Sequence, residues 1–165
     1  MNEPNVKLFY SYSHKDEALR DALETHLTIL KRQDLLSDWH DRKIIPGRDW
    51  EREIDAHMAE ADIILLLVSP DMIASDYCYG KELSRALERH DSGHSMVVPV
   101  IVRPVDWTGM PFAKIQALPR DGKPVTSWGN IDEAWLDVEM GIRRTIEKIT
   151  TEKASNTNAV NIVTL

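Results

Sequence analysis

Apolar residues along this chain fall into two kinds of block that alternate with each other. Residues 6–10 (VKLFY), 63–68 (IILLLV) and 96–102 (MVVPVIV) are short continuous runs. A run without polar alternation marks a strand covered on both faces, as in a parallel sheet. Residues 35–39 read as a shorter edge strand and residues 125–127 as a last short one. The other blocks have helical spacing. Leu19, Leu23, Leu27 and Leu30 form one stripe over residues 17–31, with Asp16 at the capping position. Trp50, Ile54, Met58 and Ala61 do the same behind Asp49, as do Leu83, Ala86 and Leu87 within 82–89. The clearest helix covers 131–149, where Ile131, Trp135, Val138, Ile142, Ile146 and Ile149 share a stripe.

The interruptions place the loops. Residues 41–47 (DRKIIPG) predict an exposed loop closed by a Pro46-Gly47 turn. Ser69-Pro70 ends the third strand, a loop or short helix follows to about residue 79, and residues 91–93 break the next helix. Pro99, inside a strand, predicts irregular or bulged pairing. Residues 103–129 predict loops with one short helix near 112–118. Residues 151–165 lack useful periodicity and read as a tail or linker, so the domain is expected over 1–150. Strands alternating with helices predict an α/β fold, an open and mostly parallel sheet with helices on both faces. Ligands bind such sheets beyond the carboxyl ends of the strands. The loops after strands one, three and four are therefore the places to search.

Composition narrows the function. The 165 residues, 42% hydrophobic and 28% charged, suit one soluble globular domain. A net charge of -7 argues against nucleic acid or an anionic membrane surface as partner. The single cysteine, Cys78, forms no intrachain disulfide and suits a reducing compartment. The N-terminus does not read as a signal peptide, and the apolar run 63–68 is too short to span a bilayer, so a cytoplasmic protein is expected. Phosphate-cradling GxGxxG and GxxxxGK[ST] loops are absent, as is a GxSxG elbow. His90 and His94 stand four apart, but the residues between them read as a helix end, and no metal site is expected.

Four segments together resemble the TIR (Toll/interleukin-1 receptor) domain family. Residues 8–16 (LFYSYSHKD) are similar to its opening strand and Ser-rich loop. Residues 39–47 (WHDRKIIPG) are similar to its BB loop. Residues 63–70 (IILLLVSP) followed by 75–83 (SDYCYGKEL) are similar to its third strand and its aromatic-Cys-…-Glu-Leu segment. Residues 97–104 with Asp106-Trp107 complete the set. Order and spacing carry the likeness, which covers about residues 6–149 and resembles bacterial members more than animal receptors. It implies a flavodoxin-like sheet of about five parallel strands. It also implies association with other TIR domains, as a homo-oligomer or filament, and in many members cleavage of the nicotinamide–ribose bond of NAD⁺. NAD⁺ would be the substrate, and no cofactor is implied. Bacterial relatives usually carry a fused sensor or oligomerising domain, expected here beyond residue 165, and serve anti-phage immunity.

The resemblance assigns the catalytic carboxylate to Glu82. Nicotinamide departs neutral, so the bond needs no general acid. It needs a negative group that orients the ribose hydroxyls and stabilises the developing positive charge. The plainer reading is a solvated glutamate in a helix's first turn, favoured by the dipole. Receptor-like members space Cys-x-x-Glu, whereas Tyr79, Gly80 and Lys81 separate Cys78 from Glu82, a turn of about 100° on a helix. Tyr10, Ser11 and Ser13 beyond the first strand, together with Trp39, Asp41 and Tyr77, are the substrate-binding candidates. A strand end, a capping loop, an edge anchor and a turn are the alternatives. Cys78 reads as a small buried hydrophobe, and Trp50 and Trp135 as core. Ile44, Ile45, Pro46 and Gly47 are the self-association candidates, because adjacent apolar residues on a loop favour a contact surface. The competing functions are a non-catalytic TIR interaction module and a nucleoside-processing enzyme of similar fold, such as a deoxyribosyltransferase relative.

Overall fold

Four parallel strands in the order β2-β1-β3-β4 make the sheet in a computed structural model of the chain. The structure describes residues 6–39, 47, 50–75 and 81–164, without the side chains of Trp39, Trp50, Glu51 and residues 155–164. The elements are β1 (Val6–Ser11), α1 (Glu17–Arg32), β2 (Leu36–Trp39), α2 (Trp50–Glu60), β3 (Ile63–Val68), α3 (Pro70–Ala74), α4 (Lys81–Asp91), β4 (Met96–Ile101) and α5 (Ile131–Thr164).

Every residue of β3 is buried, as its unbroken apolar run predicts. Side chains alternate along each strand and divide the core in two. Val6, Leu8, Tyr10, Ile63, Leu65, Leu67, Val98 and Val100 face α1 and α5, where Leu23, Leu27, Leu30 and Trp135 meet them. Phe9, Ile64, Leu66, Val68, Val97 and Ile101 face α2, α3 and α4, against Ile54, Met58, Met72, Leu83 and Ala86. Helices therefore cover both faces.

Several expectations need correction. Pro99 causes no bulge, because β3 and β4 pair in unbroken register with Leu66 opposite Pro99. The Met96 and Val102 N–H groups reach Asp62 and Val68 on the β3 side. By alternation, residues 97, 99 and 101 then present their N–H positions to the outside of the sheet, so the missing donor of Pro99 costs β3 nothing. The other two outward N–H groups are both taken: Val97 donates to His90 Nδ1 at 3.0 Å, and Ile101 to the Leu118 carbonyl at 2.8 Å. Among the described residues the sheet has four strands. Leu118 makes a single bridge to Val100, and Pro119 has no N–H to continue it. Residues 125–127 form a 3-10 turn rather than a strand. The short helix expected near 112–118 is a series of turns instead.

Ile131 is 45% exposed rather than in the stripe, since it starts α5 one turn before the helix meets the core at Ala134 and Trp135. The remaining stripe residues of α5 are buried. The main chain of α5 stays helical through residues 151–164, the segment read as tail or linker. No described helix is long and apolar enough to cross a membrane.

α1 also buries a charge that the leucine stripe hides. Arg20 is 1% exposed. Its guanidinium pairs with Asp21 and, at 2.7 Å, with Glu24. The guanidinium carbon lies 5.1 Å from the Tyr10 ring centroid and 5.7 Å from that of Tyr12, within the range of cation–π attraction. Polar contacts continue from Glu24 to Lys31, from Lys31 to Asp38 (both 3.3 Å), and from Asp38 to the Tyr10 hydroxyl at 3.2 Å, tying α1 to β1 and β2. Burial works to raise the Glu24 carboxyl, but hydrogen bonds from Arg20 and Lys31 and their charges hold it below its ordinary value. A lowered carboxylate stabilises the fold above its unfolded-state value, and that contribution is lost as pH falls through the folded-state value. Glu24→Gln is expected to cost about 1–2 kcal/mol at neutral pH. The difference from wild type should close as the medium is acidified in urea denaturation series.

Candidate functional site

In a parallel sheet each helix that follows a strand begins at that strand's carboxyl end, so the loops after β1 and β3 and the first turns of α1, α3 and α4 share one edge of the sheet. Glu82 stands in the first turn of α4, on this edge, half-buried. No described residue makes a hydrogen bond or ion pair with it. The carboxylate is thus held on a rigid helix while its oxygens remain uncommitted.

The β1 candidates approach the same edge in different ways. Ser11 ends the strand, 6% exposed. Ser13 is half-buried and accepts from the Lys15 N–H at 3.2 Å, capping the 3-10 turn His14–Asp16. Tyr10 is only 2% exposed. Its ring lies in the α1/α5 layer against Arg20, and its hydroxyl is engaged by Asp38. Burial, reinforced by the charges of Asp38 and Glu24, raises its phenol well above the usual value, so it remains a neutral donor. Trp39 ends β2 by its main chain. Gly47 is exposed with φ at +94°, a conformation that glycine adopts freely and that suits the expected turn. Asp41, Ile44, Ile45, Pro46, Tyr77 and Cys78 lie outside the described residues.

Sequence reasoning missed a charged cluster on this edge. Asp16 stands at the capping position of α1 yet makes no capping bond. Its carboxylate, 1% exposed, turns instead to two partners that follow other strands. Ser69, after β3, donates to one oxygen, and Arg103, after β4, donates Nε to the other at 2.9 Å. Arg103 also pairs with Asp71 in α3, and Lys15 lies 3.7 Å from that carboxylate. Burial lowers the Arg103 guanidinium less than the bonds to Asp71 and Asp16 raise it, the Asp71 bond being the largest influence. The one sequence signal was position, since all three residues follow the ends of apolar runs.

A separate shallow cavity of about 200 Å³ lies between α2 and the start of β1, lined by Lys7, Ser37, Asp38, His57 and Glu60 among others. It includes no candidate site residue and stands by the amino-terminal part of β1, away from the edge where such sheets bind ligands. His90 and His94 are engaged by the Val97 N–H and the Ser92 hydroxyl respectively.

An α/β protein with a doubly covered parallel sheet and an uncommitted carboxylate at its carboxyl edge is the class this geometry defines. The family model described as a TIR domain matches residues 8–127, and the chain belongs to the TIR domain family. It is also similar to an uncharacterised protein, y4lF, of Sinorhizobium fredii (strain NBRC 101917 / NGR234). The two are 54% identical over 143 residues, covering 87% of this chain and 44% of that protein. The chain therefore spans less than half the length of that relative.

Proposed function

We propose that the chain cleaves the nicotinamide–ribose bond of NAD⁺, that association between TIR domains activates it, and that it serves bacterial immune-type signalling against phage. The observation that carries this reading is Glu82, half-buried on the first turn of α4 and without a described partner. A carboxylate left uncommitted at the edge where open α/β sheets bind ligands suits the stabilisation of an oxocarbenium-like ribose. The C–N bond breaks with its electron pair going to nicotinamide. The C1′ centre is then captured by water, giving ADP-ribose and a proton, or by a nitrogen of the adenine, giving cyclic ADP-ribose, which lacks the elements of that water, and a proton.

A non-catalytic interaction module is the second reading. Ile29, Leu136 and Met140 are 47%, 50% and 49% exposed. Ile29 lies between His26 of α1 and Gln33 just after that helix, which contact Asp132 and Arg143 of α5, and Leu136 and Met140 lie between those two. The three thus share one apolar surface of the kind that marks association.

The test is NAD⁺ consumption by the pure protein across a range of concentrations, with products separated by chromatography. Turnover rising faster than protein concentration is the expected result. Absence of turnover under every assembling condition would leave the interaction module.

A further inference from the structure

We propose that Asp16 is a positioning residue: its buried carboxylate locks the segments that leave β1, β3 and β4 into one rigid rim at the edge of the sheet where Glu82 also stands. This deepens the reading of the carboxyl edge as the site of NAD⁺ cleavage and rests on it.

Three strand ends converge on this one group. Asp16 belongs to the turn after β1, Ser69 directly follows β3, and Arg103 follows β4. Ser69 Oγ donates to Asp16 while accepting from the Met72 N–H at 3.0 Å, so the hydroxyl that caps α3 is itself oriented by Asp16. Arg103 holds Asp16 through Nε and Asp71 of α3 through a terminal nitrogen. Main-chain bonds from Val102 and Arg103 to the Val68 carbonyl, at 2.9 and 3.4 Å, bring the ends of β3 and β4 together beneath them. α3 is thus gripped twice, at its cap and at Asp71.

A carboxylate at the capping position of a helix would ordinarily accept from that helix's own N–H groups. Asp16 forgoes this and is nevertheless 1% exposed. Burying an ion pair is weak as a source of stability, because desolvation offsets the attraction; its better-attested effect is to select one arrangement of the parts it joins. Here the joined parts border the candidate site.

The experiment compares wild type, Asp16→Asn and Glu82→Gln by amide hydrogen exchange and by NAD⁺ turnover. Asparagine keeps the shape and can still meet Ser69, but lacks the charge that holds Arg103. In Asp16→Asn, exchange is expected to quicken by about tenfold or more in residues 12–16, 69–75 and 103–107, with β1, β3 and β4 unchanged. Turnover should fall by about tenfold or more, as a lowered kcat at similar KM. Unchanged exchange in those segments, or equal acceleration throughout the chain, overturns the proposal. So does localised loosening with full turnover, since Asp16 would then be structural only. If wild type shows no turnover, NAD⁺ cleavage is what fails, and the exchange pattern still decides whether the rim moves as one unit. Should Asp16→Asn not fold, Arg103→Lys supplies the second variant, because one ammonium lacks the fork that spans both carboxylates.

Discussion

Glu82→Gln is expected to lower NAD⁺ turnover by about 10²–10³-fold while leaving the fold intact. The amide has nearly the size of the carboxylate and can still hydrogen-bond to ribose hydroxyls, but it lacks the negative charge that the transition state needs. The loss should therefore appear in kcat more than in KM, the signature of an interaction made mainly in the transition state. Structural damage is an unsuitable explanation here, since Glu82 has no described partner to abandon. What it gives up is its interaction with the dipole of α4, worth about 0.3–1 kcal/mol. Steady-state kinetics beside a thermal melt check both parts. Full turnover by the glutamine variant would remove Glu82 from the chemistry.

The second large effect concerns Arg20. Its Nε and Nη1 are buried with no hydrogen-bond partner, while its remaining nitrogen meets Asp21 and Glu24. Arg20→Ala should cost about 3 kcal/mol, because it removes a large fully buried side chain between α1 and the two tyrosine rings and leaves a cavity. Arg20→Met should stay within about 1 kcal/mol of wild type, since it fills much of the space and brings no unpaired donors. Glu24 retains Lys31 in both variants. Urea midpoints measured side by side give the answer, and equal losses in both would mean that the charge, not the volume, is what matters.

That arginine also shows where sequence reading stops. Leucines at 19, 23, 27 and 30 announce the helix, yet positions 20, 23, 27 and 30 are the ones most deeply buried. The spacing permits either set, and the charge of Arg20 hides its place in the stripe. β3 and most of α5 were legible because every turn or pair of residues repeats the same apolar instruction. The rim was not legible, because Asp16 lies 53 residues from Ser69 and 87 from Arg103. No local pattern can report a bond across such a gap. Glu82 entered as a candidate through family resemblance alone, since a first-turn glutamate is otherwise ordinary. Pro99 misled because a sequence shows that a donor is missing but not the direction in which it would have pointed.

The seal along the outer side of β4 has a consequence for the order in which the protein is made. His90 is synthesised before the strand it closes, but Leu118 and Thr126, which bond to Ile101 and Val102, are synthesised after it. While the chain is still on the ribosome there is an interval in which β4 exists and only its first outward N–H is covered. Neighbouring nascent chains on one message would present the same bare strand to each other, the circumstance in which edges pair wrongly. A chain cut short between Ile101 and Leu118 would keep that edge for its lifetime. Residues 118–126 therefore act as a late-arriving guard, supplying after synthesis the cover that β4 lacks when it is first made.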